Sequence, residues 1–330
     1  MNKVKLGKSN VEITPMVFGA WAIGGWMWGG TDDKDAIKAI KASIDMGITS
    51  IDTAPIYGFG HSEKIVGDAI KDYPRDQIQI LTKFGMRWDT DEGSFYFDSK
   101  KNDGTPVNIH KYAGKQSIIN ECEESLKRLR VDYIDLYQIH WPDPSTPIKE
   151  SFEAVDQLIK EGKVLSAGVS NYDVDQMKRA HAVTPLASNQ VPYSMVLRDI
   201  EKDIVPYCLE NGIGILAYSP LQRGLLTGKI TSDYKFNEGD HRASTKFFKE
   251  PNLSRINSFL SDIKPIADAH GATLAQLVIN WTLQQPGITS LLVGARNKDQ
   301  VDQNAKSLDF VLDKNEIAEI TKKLDLLKID

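Results

Sequence analysis

The alternation of apolar and polar residues near the start of the chain predicts a β-hairpin. Val4-Lys5-Leu6 and Val11-Glu12-Ile13 alternate on either side of the polar segment Lys8-Ser9-Asn10. Beyond the hairpin, short apolar runs take turns with segments whose apolar residues recur every three or four positions, which is the period of an amphipathic helix. We expect Asp33 to cap the first helix and Gly47 to end it.

The short apolar runs predict eight β-strands, and a helical pattern follows each of them along the chain. The strands are expected at residues 16–19, 48–52, 78–83, 133–140, 164–169, 187–191, 213–218 and 288–293. After the first helix, further helices are expected at residues 61–71, 115–129, 149–161, 173–181, 199–211 and 253–269.

This strict alternation predicts a single (β/α)8 TIM barrel that spans residues 1–330 and is preceded by the hairpin. The number of strands exceeds what one small doubly wound sheet usually holds, and no linker rich in proline, glycine or serine divides the chain. Two long connections, 84–114 and 219–252, follow the third and seventh strands. Because function collects on the loops after the strands of such a barrel, we expect both to form lid or pocket walls.

Composition and charge narrow the classes of partner. The chain has 330 residues, 41% of them hydrophobic, and a net charge of −5 without any block of lysine or arginine. Nucleic acid and anionic membrane surfaces are therefore unlikely partners, and small molecules are favoured. No apolar run approaches the roughly 18 residues of a membrane helix, and Cys122 and Cys208 are isolated, which favours a cytoplasmic protein.

Two common types of ligand site are not predicted. The histidines and cysteines show neither HExxH nor paired ligand spacing, so no metal is expected. Gly24-Gly25 and Gly29-Gly30 lack the GxGxxG spacing of a Rossmann dinucleotide site and do not lie in a strand-to-helix unit.

Four titratable residues are predicted to meet at neighbouring strand ends. Asp52, Lys83 and His140 end the second, third and fourth predicted strands, and Tyr57 lies on the loop after the second. An adjacent ammonium lowers the pKa of a phenol, and a carboxylate can hold that ammonium in place. Tyr57 then becomes a candidate proton donor, and His140 can hydrogen-bond a carbonyl oxygen. Taken singly, Lys83 could be a strand-end lysine and His140 a satisfied core histidine; their convergence favours catalysis.

The order of several motifs resembles the aldo-keto reductase family, in its bacterial branch. The matching segments are Ile51-Asp52-Thr53-Ala54-x-x-Tyr57-Gly58, the run from Ser125-Leu126 through Asp132-Tyr133-Ile134-Asp135-Leu136-Tyr137 to His140, Gly168-Val169-Ser170-Asn171, Tyr218-Ser219-Pro220-Leu221 and Val293-Gly294-Ala295-Arg296. The resemblance implies a nicotinamide-dependent carbonyl reductase with Asp52, Tyr57, Lys83 and His140 as its catalytic tetrad.

The same resemblance implies which residues bind the cofactor. The nicotinamide carboxamide would be hydrogen-bonded by Ser170, Asn171 and Gln190, and Tyr218 would stack on the ring. The phosphates and the adenine would be contacted by Ser219, Leu221, Arg223, Gly294, Ala295, Arg296, Gln300 and Asn304. A guanidinium can hold a 2′-phosphate through two hydrogen bonds, so Arg296 favours NADPH/NADP+ over NADH.

The substrate is expected to be a small carbonyl compound in an aromatic pocket. Trp21, Trp28, Trp88 and Trp141 are the predicted walls. Two other functions stay open: a Schiff-base aldolase that uses Lys83 as its nucleophile, and a non-enzymatic accessory subunit of a membrane channel, a role that some members of the family have. The oligomeric state is not predicted, although a monomer is plausible.

Overall fold

Eight parallel strands close into a barrel in a computed structural model that describes residues 1–28, 30–236 and 241–330. Gly29, in the glycine-rich loop, and 237–240, in the second long connection, lie outside the described residues. The barrel strands in order of pairing are β3 (Met16–Gly19), β4 (Ser50–Asp52), β5 (Gln79–Phe84), β9 (Leu136–Ile139), β10 (Ala167–Ser170), β11 (Leu186–Pro192), β12 (Gly214–Tyr218) and β13 (Ile288–Gly294), which pairs with β3. The predicted TIM barrel is confirmed.

Helices surround the barrel, and five short strands lie outside it, within the part of the chain that the structure describes. The helices are α1 (Asp33–Asp45), α2 (His61–Ile70), α3 (Lys115–Leu129), α4 (Ile148–Lys160), α5 (Val174–His181), α6 (Ile204–Asn211), α7 (Asn252–Ala269), α8 (Leu274–Leu283), α9 (Lys298–Ala305) and α10 (Lys314–Leu326). The outer strands are β1 (Val4–Lys5), β2 (Glu12–Ile13), β6 (Met86–Arg87), β7 (Ser94–Lys100) and β8 (Pro106–Lys111).

Alternation along each barrel strand separates a helix-facing side from an interior side. On β5, Ile80 and Phe84 pack into the clusters between strands and helices, whereas Leu81 packs with apolar residues of the barrel interior. Lys83, two residues after Leu81, therefore points into the barrel as well. On this strand, the interior side chain nearer the floor, Leu81, is apolar, and the one nearer the carboxyl end, Lys83, is polar.

The N-terminal hairpin forms the floor of the barrel. β1 and β2 pair antiparallel, as predicted, and Leu6 and Ile13 are fully buried against interior residues such as Leu216. Gly7 has φ +59°, and a Cβ at this position would lie 2.6 Å from the carbonyl oxygen of Ala187. Only a residue without a side chain permits such a close approach of the hairpin to the strands.

Several predicted boundaries were wrong. The fourth barrel strand is Leu136–Ile139 rather than 133–140, because the chain before it makes only a single bridge, between Ile134 and Val164. The predicted helix 199–211 is a 3₁₀ turn, Asp199–Glu201, followed by α6. Asp32, not Asp33, caps α1, since its carboxylate accepts from the backbone N–H of Asp35.

The two long connections contain regular structure that was not predicted. In residues 84–114, β6, β8 and β7 form an antiparallel sheet in that order. In 219–252, short 3₁₀ turns occur at Gln222–Thr227, His241–Ser244 and Lys246–Phe248. Both connections follow the carboxyl ends of barrel strands, β5 and β12, as expected for pocket walls.

Replacing Leu6 by Ala is expected to lower the free energy of unfolding by about 2–5 kcal/mol, because it leaves a cavity in the barrel floor. Lys5→Ala, at the exposed neighbouring position of β1, is the control and should change it by less than about 0.5 kcal/mol. Equilibrium denaturation in urea measures both changes. Equal losses in the two variants would contradict the role of the hairpin as a packed floor.

Candidate active site

A buried ion pair between Asp52 and Lys83 lies at the carboxyl ends of β4 and β5. Lys83 Nζ donates to Asp52 Oδ1 at 2.6 Å, and the two side chains are 0% and 2% exposed. The ammonium also donates to the Thr53 carbonyl oxygen at 3.0 Å. Asp52 Oδ2 accepts from Gln190 Nε2, on β11 across the barrel, at 2.8 Å. Both charges are therefore fixed by hydrogen bonds from several strands.

Tyr57 lies directly above this pair, on the loop that follows β4. Lys83 Nζ donates to the Tyr57 hydroxyl at 3.3 Å and lies 5.0 Å from the centre of its ring. A close approach of two loops holds the tyrosine backbone, since a Cβ on Gly24 would come within 2.6 Å of the Tyr57 carbonyl oxygen. The structure thus brings Asp52, Tyr57 and Lys83 together as the sequence predicts.

The pKa of Tyr57 shifts in the opposite direction to the one expected. Burial and the Asp52 carboxylate raise the pKa of Tyr57 well above its usual value, whereas the sequence led us to expect that Lys83 would lower it. Burial lowers the pKa of Lys83, and the charge of Asp52 opposes that effect. The expectation was wrong because it counted the neighbouring ammonium but not the loss of water around the phenol. Tyr57 is therefore fully protonated at neutral pH.

His140 follows β9 directly and faces Tyr57. Its ring centre lies 5.5 Å from that of Tyr57, with the rings nearly perpendicular at 81°. Burial, and secondly the charge of Lys83, lower the pKa of His140 well below 6.5. A neutral imidazole has one N–H donor, so His140 can donate a hydrogen bond to an oxygen beside Tyr57 without adding a positive charge.

The predicted carboxamide-binding residues form one hydrogen-bonded group at the ends of β10, β11 and β12. Asn171 Nδ2 donates to the His140 carbonyl oxygen at 3.2 Å and to Ser170 Oγ at 3.0 Å. The Tyr218 hydroxyl donates to Asn171 Oδ1 at 2.9 Å, and Ser170 Oγ donates to the Gln190 carbonyl oxygen at 2.9 Å. Asn171 has φ +59°, in the left-handed region that asparagine adopts more readily than most residues.

The loop after β12 contains a half-buried cation. Ser219 and Arg223 have φ values of +57° and +55°, so the chain turns sharply on both sides of Leu221. No carboxylate of the described residues forms an ion pair with Arg223, and burial lowers the pKa of its guanidinium. A partly buried cation without a counter-ion is a suitable site for an anion.

The loop after β13 leads into α9. Gly294 is the last residue of β13, and Ala295 and Arg296 follow it before α9; Arg296 is exposed and has no ion-pair partner among the described residues. Its backbone N–H donates to Gln300 Oε1 at 2.8 Å, and Asn304 Nδ2 donates to the Gly294 carbonyl oxygen at 3.3 Å. The side chains of Gln300 and Asn304 thus both hydrogen-bond to the backbone of this loop.

Of the four predicted pocket tryptophans, Trp21 has a ring contact with Tyr57, and the other three contact other aromatic rings. The Trp21 ring lies 6.1 Å from the Tyr57 ring, and Trp28 meets Trp21 edge to face at 5.4 Å. Trp141 follows His140 in the chain and lies 5.9 Å from Tyr96. Trp88 meets Phe59 edge to face at 5.5 Å and packs against the same apolar cluster as Tyr57 and Trp141.

The sequence interpretation missed Lys111 on β8, whose Nζ lies 4.1 Å from the centre of the Tyr96 ring and 5.6 Å from that of Trp141. The available signal was the alternation of Val107 and Ile109 with polar residues, which predicts that Lys111 shares their inward face.

The described residues contain neither a cluster of candidate metal ligands nor a helix that could span a membrane. No three or more histidine, cysteine, aspartate or glutamate side chains in residues 1–28, 30–236 and 241–330 are grouped so that they could hold a metal ion. Within the same ranges, every helix is too short or too polar to cross a lipid bilayer.

Comparison with known proteins identifies the family. The sequence model described as the aldo/keto reductase family matches residues 15–325. The chain belongs to the aldo/keto reductase family.

Individual members of this family resemble the chain along almost its whole length. Aldo-keto reductase YhdN of Bacillus subtilis is 39% identical over 98% of this chain and 94% of its own. The NADH-specific methylglyoxal reductase of Escherichia coli is 37% identical, over 94% of this chain and 95% of its own. Among solved structures, a glycerol dehydrogenase of Gluconobacter oxydans superposes with a TM-score of 0.89 at 36% identity, over 99% of this chain and 96% of its own.

His140 should make this aldo/keto reductase less stable as the pH falls. Its pKa is depressed in the folded state, so below about pH 6.5 the unfolded chain binds a proton that the folded chain does not, which favours unfolding. Through this residue, the free energy of unfolding falls by up to about 1.4 kcal/mol per pH unit. Urea denaturation between pH 7 and pH 5 should show a shallower loss of stability for His140→Asn than for the wild type. Parallel losses in the two proteins would contradict the buried, neutral histidine.

Proposed function

We propose that the chain, acting as one domain over residues 1–330, reduces a small aldehyde or ketone to an alcohol with NADPH. One observation carries the proposal. The Tyr57 hydroxyl accepts a hydrogen bond from Lys83 but has no acceptor for its own proton among the described residues, and the neutral His140 ring faces it. A carbonyl oxygen placed between Tyr57 and His140 would receive both N–H and O–H hydrogen bonds.

The side chains of the tetrad have separate tasks in this reaction. When bound, NADPH would supply the hydride that reduces the carbonyl carbon. Tyr57 gives its hydroxyl proton to the carbonyl oxygen, and the phenolate that remains is stabilised by the Lys83 ammonium. Asp52 holds that ammonium in place through the 2.6 Å ion pair. His140 orients the carbonyl oxygen, and its neutral state keeps a second positive charge away from Lys83.

The residues at the barrel mouth fit a nicotinamide dinucleotide. The group formed by Ser170, Asn171 and Gln190 would bind the carboxamide, and the Tyr218 ring would support the nicotinamide. The phosphates and adenosine would be contacted by Ser219, Leu221, Arg223, Gly294, Ala295, Arg296, Gln300 and Asn304. The fit is supported by Arg223 and Arg296, two guanidinium groups without a carboxylate partner among the described residues, on the loops after the last two barrel strands.

The NADPH preference rests on Arg296. Its exposed guanidinium follows the last barrel strand, where it can reach a 2′-phosphate. The Escherichia coli relative is named as NADH-specific, so membership of the family does not decide between the two cofactors.

Aldehydes and ketones with further oxygen atoms are favoured as substrates. Trp21 and Trp28 line the pocket beside Tyr57, and neither buried indole N–H has an acceptor among the described residues. A buried donor without a partner costs free energy, which a polar substrate group would recover. Trp88 and Trp141 would complete the pocket. The cytoplasmic location stays a prediction.

The hydrogen bonds of Lys83 argue against the aldolase alternative. Burial lowers the pKa of Lys83, which by itself would suit a Schiff-base lysine. However, its three N–H protons already have acceptors, namely Asp52, the Thr53 carbonyl and Tyr57. A nucleophilic nitrogen would require breaking the ion pair and leaving Asp52 buried with its charge. The channel-subunit alternative has no observation that favours it.

Tyr57→Phe should lower kcat by about 10²–10⁴-fold while NADPH still binds, because the change removes the proton donor and little contact area. Tyr73→Phe removes the hydroxyl of a distant surface tyrosine that bonds Asp45, and is the control. NADPH oxidation followed at 340 nm against a panel of aldehydes and ketones measures turnover. Wild-type kcat in Tyr57→Phe would exclude the assigned role.

Arg296→Ala should weaken NADPH binding about ten- to a hundredfold and leave NADH binding nearly unchanged. The reason is that hydrogen bonds to charged groups contribute roughly 1.5–3 kcal/mol, and NADH lacks the 2′-phosphate. Lys298→Ala, which removes a nearby cation bound to Asp302, is the matched control for net charge. Fluorescence titration with both cofactors measures the effect. Equal losses for NADPH and NADH would show that Arg296 does not recognise the phosphate.

A further inference from the structure

Lys111 occupies the inward face of the antiparallel sheet inserted after β5. On β8, Val107 and Ile109 are buried in an apolar cluster with Ala54 and Ile56, residues of the loop that holds Tyr57. Side chains two positions apart in a strand share a face, so Lys111 lies on this same side, at the end nearer to Gly85 and β5. The inserted sheet therefore presents a lysine to the barrel mouth.

Two aromatic rings hold the Lys111 ammonium, one of them that of the predicted pocket residue Trp141. Nζ lies 4.1 Å from the centre of the Tyr96 ring and 5.6 Å from that of Trp141, both within cation–π range. Trp141 directly follows His140, and Tyr96 packs in the same cluster as Tyr57. These contacts place the positive charge against the aromatic rings that pack in the same cluster as Tyr57, rather than on a remote surface.

The ammonium has no counter-ion among the described residues. The carboxylate whose charge acts on Lys111 is Asp143, but its oxygens accept from the Ala113 N–H at 2.8 Å and from the Ser145 N–H and Oγ at 2.8 and 2.6 Å. Burial lowers the pKa of Lys111, and the charge of Asp143 opposes that effect. Lys111 is nevertheless half-buried rather than enclosed, so its N–H donors are accessible to a ligand. A cation held by ring faces, with donors free, is suited to bind an anionic group.

We propose that Lys111 selects carbonyl substrates that carry an anionic group, such as a carboxylate, by binding that group at the wall formed with Tyr96 and Trp141. This inference rests on the proposed reductase function, because it assigns a substrate class to the same pocket. Lys111 is a specificity residue here: it contacts the distant end of the substrate and takes no part in the proton transfer from Tyr57.

Two aldehydes of matched shape test the proposal. The substrates are 4-carboxybenzaldehyde and methyl 4-formylbenzoate, which differ in the negative charge. In Lys111→Met, the ratio of kcat/KM for the carboxylate over that for the ester should fall about ten- to a hundredfold, mostly through KM. Lys111→Arg keeps a cation and should keep most of the ratio. A folding defect would lower both activities together and leave their ratio unchanged. A change in the ratio therefore reports on recognition of the substrate's negative charge.

Lys100→Met is the control for net charge, because it removes an exposed lysine from β7 of the same sheet and should leave the ratio unchanged. An unchanged ratio in Lys111→Met, or an equal fall in Lys100→Met, would overturn the proposal. If the wild type reduces neither aldehyde, the reductase function fails first. Titration of tryptophan fluorescence with benzoate then decides the anion site separately: weaker binding to Lys111→Met supports it, and equal or absent binding overturns it.

Discussion

The buried Lys83–Asp52 ion pair is the interaction on which the rest of the site depends. Removing two charges from water costs several kcal/mol for each ion, so the pair is stable only when the remaining donors and acceptors are also satisfied. Gln190 supplies a donor to Asp52 from across the barrel, and Thr53 and Tyr57 supply acceptors to Lys83. Because these partners come from different strands and from the loop after β4, closure of the barrel completes the pair and thereby fixes the phenol.

Along the barrel axis, the interior side chains form an apolar layer next to the hairpin and a polar layer nearer the mouth. Leu81, Leu136 and Leu216 pack with the N-terminal hairpin in an apolar floor. Two residues further along the same strands, the interior side chains are Lys83, Gln138 and Tyr218, which point towards the mouth. A step of two residues keeps a side chain on the same face, so each strand contributes to both layers without any change of register. The hairpin can therefore support the site from below although none of its residues reaches it.

The sequence predicted the strands and the convergence of the tetrad well, because buried parallel strands give clear apolar runs and their carboxyl ends must meet. The sequence interpretation failed where a segment is too deeply buried to show an amphipathic pattern. Helix α8 is buried on most sides and so lacks an amphipathic period, although the Thr273–Gln276 capping box marks its start. The pKa of Tyr57 could not be predicted, because it depends on how much water the folded loops exclude from the ring. The pairing of β7 with β8 is likewise a tertiary property of the long connection.

The net charge of the whole chain is negative, whereas three side chains around the barrel mouth are positive and have no carboxylate partner among the described residues. The chain has 45 acidic and 40 basic side chains, and the resulting net charge of −5 disfavours polyanionic partners. Yet Lys111, Arg223 and Arg296 all lie on loops or inserted strands that follow barrel strands, and none forms an ion pair with a described carboxylate. Charges in a cleft with low-dielectric walls act more strongly than the same charges in water. A protein that is anionic overall can thus attract small anions to one face, and the composition of the whole chain conceals that face.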